Sequence, residues 1–283
     1  MIQLEEFDIQ KIIKDDPDPT KRIYPTILIV GPRGCGKTTL VKDLMNRLGA
    51  VSKQMVTFSK TELINEVYTN IMPNMLINDK PDPVIFARIN ERQGEYIRKI
   101  NKKTPGFSQN EERFVVVLDD CIETTKDSWT KDQSLGNFFT LGRHAKFIII
   151  VVVHSIKSVP PMLRTNADFV FIYKTGNLLE KKKIKEEFIS AFDKKEFDPI
   201  FEKYTDNYKC MVVNNTAKEN DMTARYTYYK ADFKVNPKVC DSLLWKIDKL
   251  LFKLIYQKKM KVLRNKEKEL KKTKSHLLEN NKQ

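Results

Sequence analysis

Thr26-Ile-Leu-Ile-Val30-Gly31-Pro32-Arg33-Gly34-Cys35-Gly36-Lys37-Thr38-Thr39 is the stretch that decides the fold of this 283-residue chain. An apolar run enters a glycine-rich turn that closes on Gly-Lys-Thr, and residues 38–48 continue with helix-compatible spacing. Strand, loop and helix in that order are the context in which G-x-x-x-x-G-K-[ST] grips phosphate. The glycines let several backbone N–H groups converge on one anion, and the helix N-terminus adds partial positive charge. Residues 31–39 are therefore the expected nucleotide cradle. Lys37 is expected to reach the β/γ-phosphates and Thr38 to offer its hydroxyl to Mg²⁺. An incidental glycine-rich turn is the competing reading, and the strand in front argues against it.

Further strand-like runs lie at 54–58, 114–118, 146–153 and 168–173, with helix-like stretches at 61–71, 83–102 and 132–143. Alternating β and α elements with unbroken apolar strands predict an α/β fold, a mostly parallel sheet covered by helices on both faces. Ligands then collect at the C-terminal ends of the strands. Beyond Tyr173, residues 178–192 read as a charged amphipathic helix. Residues 209–214 and 225–229 read as an antiparallel hairpin on the sheet edge. Leu243, Leu244, Ile247, Leu250, Leu251, Leu254 and Ile255 recur at helical spacing, which predicts a docked helix running into a basic tail. The expected division is a polar segment at 1–22, a nucleotide-binding domain at 23–235 and a helical, then basic, tail at 236–283.

Composition narrows the classes. At 31% charged and 41% hydrophobic residues, a folded soluble core is expected. No apolar run approaches the ~18 residues a membrane helix needs, and the N-terminus lacks a signal-peptide layout. Cys35, Cys121, Cys210 and Cys240 are scattered without a C-x-x-C pair, which argues against structural zinc or a disulfide framework and for a reducing, intracellular setting. The net charge of +14 points to a polyanionic partner. Residues 253–283 hold eleven Lys/Arg against three Glu, so +8 of that charge lies there.

A phosphate-binding loop needs an acidic partner for Mg²⁺ and a group that orients water. Phe114-Val-Val-Val-Leu118-Asp119-Asp120 supplies both, a Walker B pattern. Asp119 is the expected Mg²⁺ partner. Asp120 occupies the place where many ATPases carry a water-polarising Glu, although an Asp-Asp pair also commonly marks a strand ending in a turn. His154 and Ser155 follow the fourth strand and are the candidates for sensing the γ-phosphate; the plainer alternative is an ordinary strand-end polar pair. Arg143, 24 residues after Asp119, is the candidate for reaching a neighbouring subunit's γ-phosphate, against a plainer role complementing a helix C-terminus. Arg164 is the reserve. Glu62 could face the nucleotide, but Ser59-x-x-Glu62 also reads as a capping box, which is the favoured reading.

These residues together resemble a family. The loop at 31–39, Leu118-Asp-Asp-Cys121, Gly142-Arg-His144 and Val159-Pro-Pro-Met-Leu-Arg164-Thr-Asn-Ala-Asp168-Phe-Val-Phe171 are similar to the genome-packaging ATPases of large nucleocytoplasmic DNA viruses, of poxvirus, iridovirus and giant-virus type. These form part of the FtsK/HerA branch of P-loop motors. Phe58-Ser-Lys-Thr-Glu62, the region of Asn70-Ile-Met-Pro73, Tyr208-Lys-Cys-Met-Val-Val-Asn-Asn215 and Tyr228-Tyr-Lys-Ala231 extend the likeness over residues 24–232. The resemblance implies a RecA/FtsK-like fold and an ATP hydrolase fuelled by Mg-ATP. It implies a homo-oligomeric ring that threads double-stranded DNA into a preformed capsid, docked on a capsid or inner-membrane virion protein. The setting it implies is the viral factory of the host cytoplasm, the virion, or both. Arg143 falls where the family has an Arg-His segment suited to a finger acting in trans. Where the family usually shows a Gln near the end of the fourth strand, this chain has His154-Ser155.

Two other classes stay open at this level. A nucleoside or nucleotide kinase accounts for the P-loop but leaves the 143–168 block and the basic tail unexplained. An ATP-binding assembly scaffold with little turnover is kept open by Asp120 standing in place of Glu. A GTPase is disfavoured because no Asn-Lys-x-Asp segment occurs.

Overall fold

A computed structural model describes residues 3–13, 23–102, 113–121, 138–140, 142–218 and 220–255. The chain divides into two compact units, Met1–Cys240 and Asp241–Gln283.

The first unit is built on one eight-stranded sheet. Its strands are β1 (Thr26–Val30), β2 (Gln54–Ser59), β3 (Ile77–Asn78), β4 (Phe114–Asp119), β5 (Phe147–Val153), β6 (Phe169–Tyr173), β7 (Lys209–Asn214) and β8 (Tyr226–Lys230). They lie in the order β3-β2-β4-β5-β1-β6-β7-β8. The pairs from β3 through β6 are parallel. β7 and β8 add the expected antiparallel hairpin at the edge.

The central strands are apolar without interruption because both of their faces are covered. Alternate residues feed two separate cores. Leu28, Val30, Val116 and Leu118 pack on one side with α4 (Pro83–Asn101), α6 (Leu178–Phe188) and α7 (Lys194–Tyr204). Ile27, Ile29, Val115 and Val117 pack on the other with α2 (Lys37–Leu48) and with α1 (Gln10–Ile13). From α2, Leu40, Val41, Leu44, Met45 and Leu48 are all buried, each contributing roughly 1.5–3 kcal/mol of transfer free energy. This wedge holds the P-loop helix against β1.

Several expectations are corrected. The segment read as polar at 1–22 sends Leu4, Phe7, Ile9, Ile12 and Ile13 into the cores. Residues 5–7 also lie along β8, where Phe7 N–H donates to Tyr228 O at 2.7 Å and Tyr228 N–H to Glu5 O at 3.0 Å. The helix expected at 61–71 is only α3 (Glu62–Asn65), because Glu66 turns left-handed at φ 46°. The helix expected at 178–192 stops as α6 at Phe188. α7 has no counterpart among the expected helices, although its capping box of Asp193 and Glu196 stands in the sequence. Of the helix expected at 132–143, residues 138–140 are helical and 142–143 form a turn; the others lie outside the described residues. α5 (Pro161–Asn166) and α8 (Met222–Arg225) are short connectors.

In the second unit, residues 242–255 are helical. Leu243, Leu250, Leu251, Leu254 and Ile255 of the apolar stripe lie on this helix. The basic tail from 257 lies outside the described residues.

Candidate active site

The carboxyl ends of β1, β4 and β5 converge on one cavity. It measures about 710 Å³ and is lined by Arg33, Gly34, Gly36, Lys37, Thr38, Thr39, Asp119, Asp120 and His154 from these strands and the loops after them. The glycines of the P-loop have structural tasks. A Cβ on Gly31 would stand 2.6 Å from Tyr173 Cβ and 2.7 Å from Cys35 Sγ, so only glycine fits there. Gly34 and Gly36 hold φ of 77° and 110°, the left-handed region that glycine enters freely. α2 begins at Lys37 directly after this turn, aiming its unpaired N–H groups at the cavity.

Lys37 is buried, and burial lowers its pKa against the opposing pull of nearby groups, the Asp120 and Asp119 carboxylates among them. Its Nζ donates to Gly31 O at 2.7 Å and Pro32 O at 2.9 Å, and lies 3.0 Å from His154 Nδ1. His154 Nε2 is 2.7 Å from Asp120 Oδ2. An ammonium can only donate, so Nδ1 accepts and the ring proton sits on Nε2, from where it donates to Asp120. The three side chains form one directed chain, Lys37 to His154 to Asp120. Asp120 adopts φ 51°, a conformation that costs a non-glycine residue on the order of 1 kcal/mol and that turns its carboxylate into this chain.

Asp119 takes a different partner. Its Oδ2 accepts the Tyr68 hydroxyl at 2.8 Å. Burial raises the Asp119 pKa to about 6, the Tyr68 bond opposing that shift and the neighbouring Asp120 charge adding to it. A desolvated carboxylate at the cavity wall is a site where a cation is electrostatically welcome. With the Thr38 hydroxyl it makes a hard-oxygen donor pair that fits Mg²⁺, an ion that keeps several waters and shares substrate phosphates. No cluster of three or more His, Cys, Asp or Glu able to hold a metal occurs among the described residues.

Two residues of the sequence reading stand elsewhere. Glu62 Oε1 accepts Tyr68 N–H, Thr69 N–H and the Thr69 hydroxyl at 2.8–2.9 Å, and Oε2 accepts Val67 N–H at 3.0 Å. The favoured capping box is not formed, since Thr61 is the α3 N-cap and makes no side-chain cap bond. Glu62 instead ties down the loop that carries Tyr68, and so acts on Asp119 at one remove. Ser155 also turns from the cavity. Its hydroxyl donates to Glu180 Oε2 at 2.8 Å and accepts Lys157 N–H at 3.1 Å. Of the two sensor candidates, His154 alone lines the cavity.

Arg143 is ion-paired with Asp168, whose other oxygen accepts Thr26 N–H at 2.8 Å. That places it at the start of β1, roughly 13 Å of strand from the P-loop of its own chain. The guanidinium side chain remains 59% exposed. Arg164 is less available, 12% exposed and 3.6 Å from Glu187. Tyr68, Asn207, Tyr208, Lys230 and Phe233 were not among the expected site residues, although Tyr208 and Lys230 lie in stretches that carry the resemblance. Tyr68 lies 51 positions before Asp119, so no local pattern announces their contact.

Comparison with known proteins agrees with this geometry. The family profile described as "Poxvirus A32 protein" matches residues 19–253. Uncharacterized protein 015R of Frog virus 3 (isolate Goorha) is 25% identical over 236 residues, covering 81% of this chain and 70% of its own. Uncharacterized protein 075L of Invertebrate iridescent virus 6 is 29% identical over 204 residues, 72% of this chain and 75% of its own. Among solved structures, the genome packaging NTPase B204 from Sulfolobus turreted icosahedral virus 2 in complex with AMP aligns with a TM-score of 0.52 at 14% identity, over 74% of this chain and 98% of that one. The pCW3 conjugation coupling protein TcpA with ATPgS gives 0.52 at 14%, over 90% and 75%. At such identity these structures establish the shared fold, that of a P-loop NTPase.

Proposed function

This chain belongs to the poxvirus A32 protein family, and from that premise we propose that it is a viral genome-packaging ATPase that drives double-stranded DNA into a capsid. The observation that carries the reading is the directed chain from Lys37 through His154 to Asp120 at the mouth of the P-loop. It sets the group that would grip phosphate and the group that would orient water side by side in one cavity, an arrangement suited to hydrolysis.

In the nucleotide-bound state the triphosphate replaces Gly31 O and Pro32 O as the acceptor for Lys37. Thr38 and Asp119 would hold Mg²⁺, with the Tyr68 hydroxyl fixing the Asp119 carboxylate. When bound, Mg²⁺ would supply positive charge that offsets the negative charge gathered on the phosphate oxygens. Asp120 accepts a proton from the attacking water. His154, touching both Lys37 and Asp120, registers whether a γ-phosphate is present.

Arg143 lies at the opposite end of β1 from the P-loop, which suits service to a neighbouring subunit's site in a homo-oligomeric ring. There it neutralises charge that develops during transfer. The +14 charge supports contact with the DNA backbone, and the 257–283 tail is the part most concentrated in it. Docking on a capsid or inner-membrane virion protein, in the infected cell or virion, follows from the same reading. Among the described residues no helix is long and apolar enough to cross a membrane.

ATP turnover measured with and without long duplex DNA, over a salt series, tests the proposal. Stimulation that fades with salt is expected; turnover indifferent to DNA at every salt would overturn the translocase reading.

A further inference from the structure

The cavity has a second end that phosphate chemistry does not use. Beyond Gly36 it is lined by Asn207, Tyr208, Lys230, Ala231 and Phe233. Tyr208 is 65% exposed and Phe233 76% exposed. Two large rings left in water at the rim of a site are costly unless something covers them.

The backbone under Tyr208 is unusual. Asn207 and Tyr208 hold φ of 52° and 58°, and Lys209 N–H donates to Asp206 O at 3.0 Å. Residues 206–209 therefore form a turn with both central positions left-handed, the I′ class in which Asn followed by Gly is preferred. Tyrosine sits in the glycine place. A β-carbon there works against the turn, so the ring is retained against local preference. Its position is fixed beside the P-loop: a Cβ on Gly36 would meet Tyr208 Cδ1 at 3.6 Å.

The segment bearing Phe233 is anchored separately. Asp43, buried on α2, accepts the Tyr229 hydroxyl at 2.6 Å, Asp232 N–H at 3.3 Å and Arg47 Nε–H at 2.8 Å. This carboxylate pins residues 229–232 to the helix that begins at Lys37. Both aromatic-bearing segments are thus placed beside the P-loop, and the antiparallel pairing of β7 with β8 sets Lys209 opposite Lys230 between them.

We propose that Tyr208 and Phe233 form a stacking clamp for the nucleobase of the bound nucleotide, with Asp43 as the positioning residue for its Phe233 half. The proposal rests on the nucleotide reading of the P-loop and adds where the base goes. Stacking is tolerant of base identity because every base offers a π-face. The clamp therefore gives affinity for a nucleoside triphosphate over bare polyphosphate, with little preference between adenine and guanine.

The test is calorimetric titration of the full chain with Mg-AMPPCP, Mg-GMPPCP and Mg-tripolyphosphate. The variants are Tyr208→Gly, Tyr208→Phe and Phe233→Ala. Tyr208→Gly removes the ring while suiting the left-handed backbone, so loss of binding through misfolding is not expected. AMPPCP affinity is expected to fall about tenfold in Tyr208→Gly and in Phe233→Ala, with tripolyphosphate affinity held within twofold and Tyr208→Phe near wild type. Unchanged AMPPCP affinity in Tyr208→Gly and Phe233→Ala would overturn the clamp while leaving the phosphate site standing, as would equal loss for AMPPCP and tripolyphosphate. A wild-type chain that binds GMPPCP more than about tenfold more weakly than AMPPCP removes the base-tolerant form. A wild-type chain that binds neither nucleotide nor tripolyphosphate removes the nucleotide reading and the clamp with it.

Discussion

His154 Nε2 lies 2.7 Å from Asp120 Oδ2, and this contact couples the end of β5 to the end of β4. Asp120→Asn keeps the shape but loses the base. Turnover is expected to fall at least about 100-fold with nucleotide affinity within a few-fold of wild type. His154→Ala should slow turnover less while also leaving binding intact. Steady-state ATPase rates beside equilibrium binding separate the two effects.

The raised Asp119 pKa has a definite sign. Its value of about 6 lies above the ordinary carboxylate range. The group therefore favours the ligand-free fold fully below about pH 4, and that contribution is lost as pH rises through 6. Asp119→Asn should match wild-type stability near pH 4 and exceed it at pH 7, by on the order of 1–2 kcal/mol after solvent screening. Mg-nucleotide affinity should rise as pH climbs through 6 and then level off. Thermal melts and titrations between pH 4 and 8 read both; an Asp119→Asn that is less stable than wild type at pH 7 contradicts the assignment.

Glu62 accepts four hydrogen bonds from the 67–69 loop. Glu62→Gln should lower stability by about 1–3 kcal/mol and slow turnover only as far as Tyr68 is displaced. A collapse of turnover with an unchanged melting temperature would instead make Glu62 the general base.

Arg143 gives a mixing experiment. Arg143→Ala and Lys37→Ala should each be nearly inactive alone. If the guanidinium serves a neighbour, mixed assemblies contain sites with both an intact Lys37 and an intact Arg143, and activity reappears. Mixtures as inactive as their components place Arg143 in a purely structural pairing with Asp168.

Removal of residues 257–283 should flatten the slope of log DNA affinity against log salt, by about 0.9 for each phosphate that the tail no longer neutralises. An unaltered slope assigns DNA binding to residues before 257.

What the sequence made legible was whatever is local and periodic. β1, β4, β5 and β6 are built almost wholly of Val, Ile, Leu and Phe, and the P-loop and Asp119-Asp120 sit at strand ends because the chemistry is written in consecutive residues. The helix over 61–71 failed because one carboxylate, Glu62, captured the backbone N–H groups of 67–69 and drew the chain out of helical register. β3, two residues long, is too short to carry a period. The 1–22 segment looked polar because its composition is, while Phe7 packs on Phe169, Phe171 and Tyr229, more than a hundred positions away. Arg143 was legible as a candidate by resemblance, but its pairing with Asp168 was not. Tyr208 was invisible as a site residue since nothing in Asp206-Asn-Tyr-Lys209 says that a tyrosine will take up the glycine conformation.

The N-terminal residues lying along β8 bear on assembly. An open edge strand invites a second chain to extend the sheet, and here Glu5 to Phe7 already fill the hydrogen-bonding row of Tyr228. A second chain that extended the sheet at Tyr228 would first have to strip these residues away, so the segment works as a stopper on that row, and the ring proposed above is expected to be joined by side chains there and not by a shared backbone ladder.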